Sequence, residues 1–157
     1  MPKELVALAP RQPVLQDYEE SAPLEGQVRI KVDFGAPKRG SEMTMYYGSR
    51  GAKFPMGLGN MCVGRIIELG DGVDEFEVGD RVACHGHLRE THIRSAGQLL
   101  VMSDRMTWKE AVCYDPAHFA LASIRDGQVR LGDRVAVFGL GAIGQVTAQM
   151  AKLAGAD

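Results

Sequence analysis

The chain has 157 residues, of which 45% are hydrophobic and 24% are charged, and its formal net charge is -2. A chain of this size and composition can bury a real hydrophobic core, which excludes a disordered tail, a collagen-like fibre and a disulfide scaffold. The near-neutral charge argues against nucleic acid as a partner, because phosphate binding usually needs a basic face.

Short segments with β-forming patterns fill the first two-thirds of the chain. One of them alternates, with Val28, Ile30, Val32 and Phe34 on one face and polar residues on the other. Gly64 indicates a bulge or a close backbone approach within its strand. Strands are predicted at 5–9, 14–18, 27–34, 62–69, 81–84, 89–94 and 98–102. Closely spaced strands linked by turns favour a small barrel or sandwich.

The pattern becomes helical after residue 104. Thr107 and Glu110 have the spacing of a capping box, which predicts that a helix begins there. A second helix is expected to begin at Pro116, with Asp115 as its cap, and to end at Gly127.

The segment 134–155 has the order strand, Gly-x-Gly-x-x-Gly, helix. In this context the first glycine makes the tight turn, the second leaves room for a pyrophosphate and the third lets the helix pack against the strand. The helix N-terminus offers N–H groups and the positive end of a dipole to the phosphates. We therefore predict binding of NAD or NADP by Gly139, Leu140, Gly141, Ala142, Ile143 and Gly144.

We expect the residue that decides between NAD and NADP to lie beyond the printed sequence. The acidic residue that binds the adenosine ribose lies about 20 residues beyond such a fingerprint. The choice between NAD and NADP therefore stays open, and the 157 residues are expected to be the front of a longer protein.

The chain has no apolar run of the roughly 20 residues needed to cross a bilayer, and its start lacks the layout of a signal peptide. Its three cysteines have no paired spacing, which is typical of reduced thiols. We expect a cytoplasmic protein without a membrane partner.

Several sequence blocks follow one another in order: Gly-Ser-Glu at 40–42, a glycine-bounded strand at 64–70, Val-Gly-Asp-Arg-Val at 78–82 and the glycine-rich segment at 129–144. On these blocks the chain resembles the medium-chain dehydrogenase/reductase superfamily, the zinc alcohol dehydrogenase-like proteins. The resemblance implies a mostly β GroES-like barrel domain over 1–127. It also implies the first strand, loop and helix of a truncated Rossmann α/β domain over 128–157.

Zinc-dependent members of this family hold the metal with three protein ligands and one open position. Arg39 stands here at the place of the first ligand, a Cys, and Gly59-Asn60-Met61 stands where the family has the second, a His. The chain looks closest to the branch that keeps a Gly-Ser-Glu block without the leading cysteine. We therefore predict no metal site and no zinc.

Carbonyl activation without a metal needs hydrogen-bond donors or a cation. The resemblance places a proton-relaying hydroxyl at Ser41, followed by Glu42, while Arg39 supplies a fixed positive charge and Tyr46 is near enough in sequence to reach the same cleft. The predicted catalytic residues are Ser41, Glu42, Arg39 and Tyr46. The histidines at 85 and 87 are interpreted as a polar loop at the cleft mouth rather than as metal ligands.

Two functions remain open from the sequence. The resemblance implies an NAD(P)-dependent oxidoreductase that acts on a small alcohol or carbonyl compound and forms a homo-oligomer in its full-length form, with the 157-residue chain alone inactive. The alternative is a non-catalytic GroES-like module for binding or assembly, because the metal ligands are replaced and the cofactor domain is incomplete.

Overall fold

The computed structural model describes residues 1–49 and 51–157. Two compact units are present, Met1–Val112 and Cys113–Asp157. The first is mostly β and the second is helical. The sequence predicts a different division, with a GroES-like domain over 1–127 and the start of a dinucleotide-binding domain over 128–157. That division stays a prediction.

The first unit contains two antiparallel sheets. One has three strands in the order β2-β1-β4, and the other has five strands in the order β7-β3-β5-β6-β8. The strands are β1 (Lys3–Ala9), β2 (Gln12–Asp17), β3 (Gln27–Ala36), β4 (Met56–Gly57), β5 (Met61–Leu69), β6 (Arg81–His85), β7 (Thr91–Ser95) and β8 (Leu100–Val101). This confirms the mostly β class expected for this part of the chain.

The main core lies on one face of the five-stranded sheet. Val28 and Ile30 of β3 are fully buried and pack with Ile66 of β5 and Val82 of β6. The alternation predicted for β3 holds at these positions, but Phe34 is 37% exposed. The register between β3 and β5 shifts between Val32 and Phe34, and such a bulge turns the following side chain away from the core.

Gly64 makes the close approach that the sequence predicts. A Cβ at this position would collide with the backbone carbonyl of Lys31 on β3, where the two strands are paired. Only glycine therefore allows β3 and β5 to keep this separation.

The helices are divided between the two units. The first unit contains α1 (Arg39–Tyr46) and the short α2 (Trp108–Ala111), and the second contains α3 (Tyr114–Asp126) and α4 (Ala142–Leu153). Both halves of the capping box predicted between Thr107 and Glu110 are present at α2. The α3 helix ends at its Gly127 cap as predicted, but it begins at Tyr114, so Asp115 lies in its first turn and is not its cap.

The sequence predicts a strand over 134–138, but the described residues show one parallel pair there, between residue 134 and Asp157. The Asp157 N–H donates to the Asp133 carbonyl at 2.8 Å, and the Val135 N–H donates to the Asp157 carbonyl at 3.0 Å. These two bonds align residue 134 with Asp157 in the parallel sense. A strand requires a longer ladder, and the described residues supply no further partner for this segment.

Candidate functional site

A cleft in the first unit contains two of the four residues predicted to be catalytic. Its volume is about 380 Å³, and it is formed by α1, the preceding Lys38, the segment from Pro55 to Asn60 and the loop after β6. Ser41 and Glu42 line it from α1, and His87 lines it from the opposite loop. Ser41 is exposed there, so its hydroxyl is accessible to a small molecule.

Glu42 connects two backbone segments at the base of this cleft. It is 7% exposed, and its two carboxylate oxygens accept the Lys38 N–H at 2.9 Å and the Gly59 N–H at 2.5 Å. A buried carboxylate is stabilised by backbone N–H donors of this kind. The geometry therefore makes Glu42 a positioning residue that holds the start of α1 against the segment containing Gly59.

The structure places Arg39 and Tyr46 elsewhere. Arg39 begins α1 and is exposed, and neither it nor Tyr46 is among the residues lining the cleft. The Tyr46 ring lies against the Tyr47 ring with centroids 5.6 Å apart, and the Tyr46 carbonyl accepts the Arg11 N–H at 3.0 Å. The hydrogen bond from Arg11 joins the end of α1 to the turn between β1 and β2.

His87 is one of the cleft residues that the predicted catalytic set omits. Its imidazole ring lies against Gly57, where a Cβ would overlap the ring. The polar loop that the sequence predicts at the cleft mouth from His85 and His87 lies there only at His87, because β6 ends at His85 and His87 belongs to the following loop. His85 lines a different cleft.

A buried histidine fixes the backbone at His87. His92 is 3% exposed, and its Nε2 lies 2.9 Å from the His87 carbonyl while its Nδ1 lies 3.2 Å from the Arg94 guanidinium. A carbonyl only accepts and a guanidinium only donates, so His92 is the neutral tautomer with its proton on Nε2. Burial lowers the pKa of His92 to about 4, and the Arg94 charge acts in the same direction.

The glycine-rich turn lies in the second unit and has the geometry that a pyrophosphate requires. Gly139 has a φ of 89°, which makes the tight turn. A Cβ at Gly144 would collide with the Gly139 carbonyl, so this glycine packs the helix directly on the turn. A Cβ at Gly141 would meet nothing within 4 Å, so the space before α4 is open. The turn therefore fits a pyrophosphate at the helix N-terminus.

The remaining residues predicted to bind cofactor belong to the same turn. Leu140 and Ile143 are 66% and 45% exposed, and the Leu140 carbonyl accepts the Gln145 side-chain amide at 2.9 Å. Gly141 is the N-cap of α4 and Ala142 is its first residue. The first N–H groups of a helix have no partner within it, so those of Ala142, Ile143 and Gly144 can bind an anion.

Neither a membrane-spanning helix nor a metal-binding cluster occurs in the part of the chain that the structure describes. No helix there is long and apolar enough to cross a bilayer. No three or more His, Cys, Asp or Glu side chains in residues 1–49 and 51–157 are grouped to hold a metal ion. The prediction of no zinc is not tested by this finding.

A mostly β unit with two antiparallel sheets, followed by a Gly-x-Gly-x-x-Gly turn that opens a helix, is the architecture of the first half of an alcohol dehydrogenase-like protein. The chain belongs to the alcohol dehydrogenase GroES-like domain family, whose sequence model matches residues 24–153. The resemblance to medium-chain dehydrogenases is thereby confirmed.

Two curated relatives extend this result. The chain is 45% identical over 182 aligned positions to D-guloside 3-dehydrogenase of Escherichia coli K12, covering 99% of this chain and 52% of that protein. It is 26% identical over 181 positions to (R,R)-butanediol dehydrogenase of Bacillus subtilis, covering 90% of this chain and 52% of that protein. The chain therefore spans about half the length of these relatives.

Solved structures show the same fold. CAD from Helicobacter pylori complexed with NADP(H) matches with a TM-score of 0.89 at 16% identity, over 99% of this chain and 57% of that one. Escherichia coli quinone oxidoreductase complexed with NADPH matches with a TM-score of 0.81 at 17% identity, over 99% of this chain and 51% of that one. At these identities the likeness concerns the fold alone.

Proposed function

We propose that the whole protein is an NAD(P)-dependent oxidoreductase that interconverts a secondary alcohol and a ketone on a polyol or sugar-like substrate. The observation that carries the proposal is the turn at Gly139, Gly141 and Gly144, whose φ, open space and close packing match the three tasks of a dinucleotide-binding turn. The substrate class is supported by relatives named as guloside, butanediol and sorbitol dehydrogenases.

The residues of the second unit fit the diphosphate of the cofactor. The N–H groups at the start of α4 hold its charged oxygens, and the missing side chain of Gly141 leaves space for them. When bound, the nicotinamide supplies or accepts the hydride. NAD and NADP remain equal candidates, and a titration with each reduced cofactor distinguishes them.

The cleft of the first unit is the proposed substrate site. In alcohol oxidation Ser41 Oγ accepts the proton of the substrate hydroxyl and passes its own proton to the exposed His87 imidazole, and in ketone reduction both protons move in the opposite direction. Glu42 holds the cleft wall through its two backbone hydrogen bonds. Arg39 stays a proposed anchor for an anionic substrate group, and Tyr46 a proposed cleft residue, although neither lines the cleft in this structure.

We also propose that the reaction is zinc-independent. The support is the chemistry of the donor set, because Arg39 and Asn60 stand where the resemblance places metal ligands. In addition, both Glu42 oxygens already accept backbone N–H groups. The proposal includes a cytoplasmic location, supported by three cysteines that form no disulfide in the described part of the chain, and a homo-oligomeric full-length protein.

The first experiment is a titration of the full-length protein with NADH and NADPH, followed by fluorescence. It is accompanied by metal analysis and by a screen of polyols and glycosides for cofactor reduction. The chain offers a matched pair of variants, Gly141→Ala and Gly97→Ala, because a Cβ meets nothing within 4 Å at either position. We expect Gly141→Ala alone to weaken cofactor binding, about tenfold or more.

Three results would contradict parts of the proposal. Absence of nicotinamide binding by the full-length protein would favour the alternative, a binding or assembly module. Equal effects of the two glycine variants would remove the turn from the site. One zinc ion per chain that is needed for turnover would overturn the metal-free mechanism.

A further inference from the structure

Two cysteines lie directly opposite each other in the core of the five-stranded sheet. Cys62 of β5 pairs with Cys84 of β6 in the antiparallel register, and their Sγ atoms are 3.3 Å apart. Directly opposed residues in such a pair have Cα atoms about 4.5–5.5 Å apart, which lies within the range that a disulfide spans. Small side-chain rotations would therefore bring the two sulfurs to bonding distance without moving the strands.

The two thiols differ in their access to solvent. Cys62 is fully buried, whereas Cys84, at 3% exposed, lines a cleft of about 590 Å³ together with Arg94 and Ser95. This cleft is separate from the one that contains Ser41. A small oxidant therefore reaches Cys84 first, and Cys62 lies behind it as the second thiol.

The surroundings of the two thiols shift their pKa values in opposite directions. The pKa of Cys84 is lowered because the Cys62 thiol donates a hydrogen bond to it, and the positive charge of Arg94 acts in the same direction. The pKa of Cys62 is raised by its interaction with Cys84 and by burial. Thiolate is the nucleophilic form of cysteine, so Cys84 is the attacking thiol and Cys62 the one that keeps its proton.

We propose that Cys62 and Cys84 are a peroxide-oxidised dithiol that closes reversibly to an intramolecular disulfide. In the first step the Cys84 thiolate attacks one oxygen of hydrogen peroxide, the O–O bond breaks, and a sulfenic acid and hydroxide form; the hydroxide takes a proton to become water. In the second step Cys62 sulfur attacks the Cys84 sulfur, the S–O bond breaks, and the departing hydroxide leaves with the Cys62 proton as a second water. Two thiols are thus oxidised by two electrons and one peroxide is reduced to two waters.

The oxidised pair would lie next to the candidate substrate cleft. Asn60, two residues before Cys62, and His87, three residues after Cys84, both line that cleft. The two segments are already joined by the Gly86 N–H, which donates to the Asn60 carbonyl at 3.0 Å. The inference does not depend on the proposed function, because it concerns only the two thiols and their surroundings.

The third cysteine provides the internal control. Cys113 is exposed and lies outside the pair. The test treats the full chain and its Cys113→Ser variant with graded hydrogen peroxide, followed by alkylation and tryptic mapping. Trypsin cleaves after Lys53, Arg65, Arg81 and Arg89, so Cys62 and Cys84 fall in separate peptides, 54–65 and 82–89.

We expect the two peptides to appear covalently linked, with the loss of two hydrogens, and to separate again under a thiol reductant. In the Cys113→Ser background, Cys84 should gain oxygen atoms in Cys62→Ala, because no second thiol is present to close the disulfide. In Cys84→Ala, Cys62 should stay unmodified at the same peroxide dose. The mapping of the unsubstituted chain needs no core substitution, so a variant that fails to fold does not hide the result.

The proposal would be overturned if both core thiols stayed alkylatable at doses that oxidise Cys113. It would equally be overturned if peptides 54–65 and 82–89 gained oxygen without becoming linked, since the two cysteines would then react independently.

Discussion

His92 donates its Nε2 proton to the backbone carbonyl of His87, and the two atoms are 2.9 Å apart. On its other side, His92 Nδ1 accepts from the Arg94 guanidinium at 3.2 Å. A protonated ring would lose this second bond and bring a positive charge against Arg94. The wall of the candidate cleft at His87 therefore depends on a neutral His92.

This relationship predicts a loss of stability in mild acid. The pKa of His92 in the folded chain is about 4, below its unfolded value of 6.5. Between these values the unfolded chain binds the extra proton, so the free energy of unfolding is highest above about pH 6.5 and falls as the pH drops toward 4, by about 3 kcal/mol in total. Urea unfolding across this range measures it.

The matched variants for this prediction are His92→Gln and His85→Gln, since His85 is an exposed histidine at the end of β6. The first should reduce the pH dependence in this window and the second should retain it. A pH dependence that is unchanged in His92→Gln would show that other groups cause it.

Glu42 gives a second prediction, which concerns the same cleft. In Glu42→Gln the side chain keeps one acceptor oxygen but presents an amide N–H₂ to either the Lys38 or the Gly59 N–H. A buried donor facing another donor costs about 1–3 kcal/mol. We expect that loss in urea unfolding, together with shifted Lys38 and Gly59 amide resonances. The exposed Glu25→Gln serves as control, and an equal effect of both variants would refute the positioning role.

The sequence predicts those features that depend on neighbouring residues. The capping box at Thr107 and the turn at Gly139 appear as expected, because a cap and a tight turn are determined within a few residues. The close approach at Gly64 was also predictable, since a glycine inside a strand usually marks a bulge or a place where another backbone comes near.

The features that the sequence did not predict depend on distant contacts. The Glu42 bond to Gly59 joins residues 17 positions apart, and the opposition of Cys62 and Cys84 depends on the strand register. Neither is encoded in a local pattern. The exposure of Phe34 follows from a bulge that periodicity alone does not reveal.

A third prediction concerns the packing of α4 on the glycine turn. In Gly144→Ala the new methyl group would overlap the Gly139 carbonyl, which is backbone and has little freedom to move. Such overpacking costs about 1–3 kcal/mol. We expect faster hydrogen exchange of the α4 amides, whereas Gly141→Ala, which meets open space, should leave the exchange unchanged. Equal exchange in both variants would contradict the close packing.

Arg81 gives the fourth prediction, which uses the single tryptophan of the chain as a reporter. The Arg81 guanidinium lies 4.3 Å from the Trp108 ring centroid and donates to the Ser103 and Met106 carbonyls at 3.0 and 2.6 Å. Arg81→Lys keeps the positive charge but removes the planar guanidinium. The lysine therefore cannot donate to both carbonyls while it lies over the Trp108 ring.

The expected result is a loss of about 1–3 kcal/mol in the free energy of unfolding and a change in Trp108 emission in the native state. The matched control is Arg65→Lys, because Arg65 lies over the same ring at 5.2 Å and is about half exposed. If Arg65→Lys had the larger effect on both measurements, the two carbonyl bonds of Arg81 would not be what holds the 103–108 segment on the sheet.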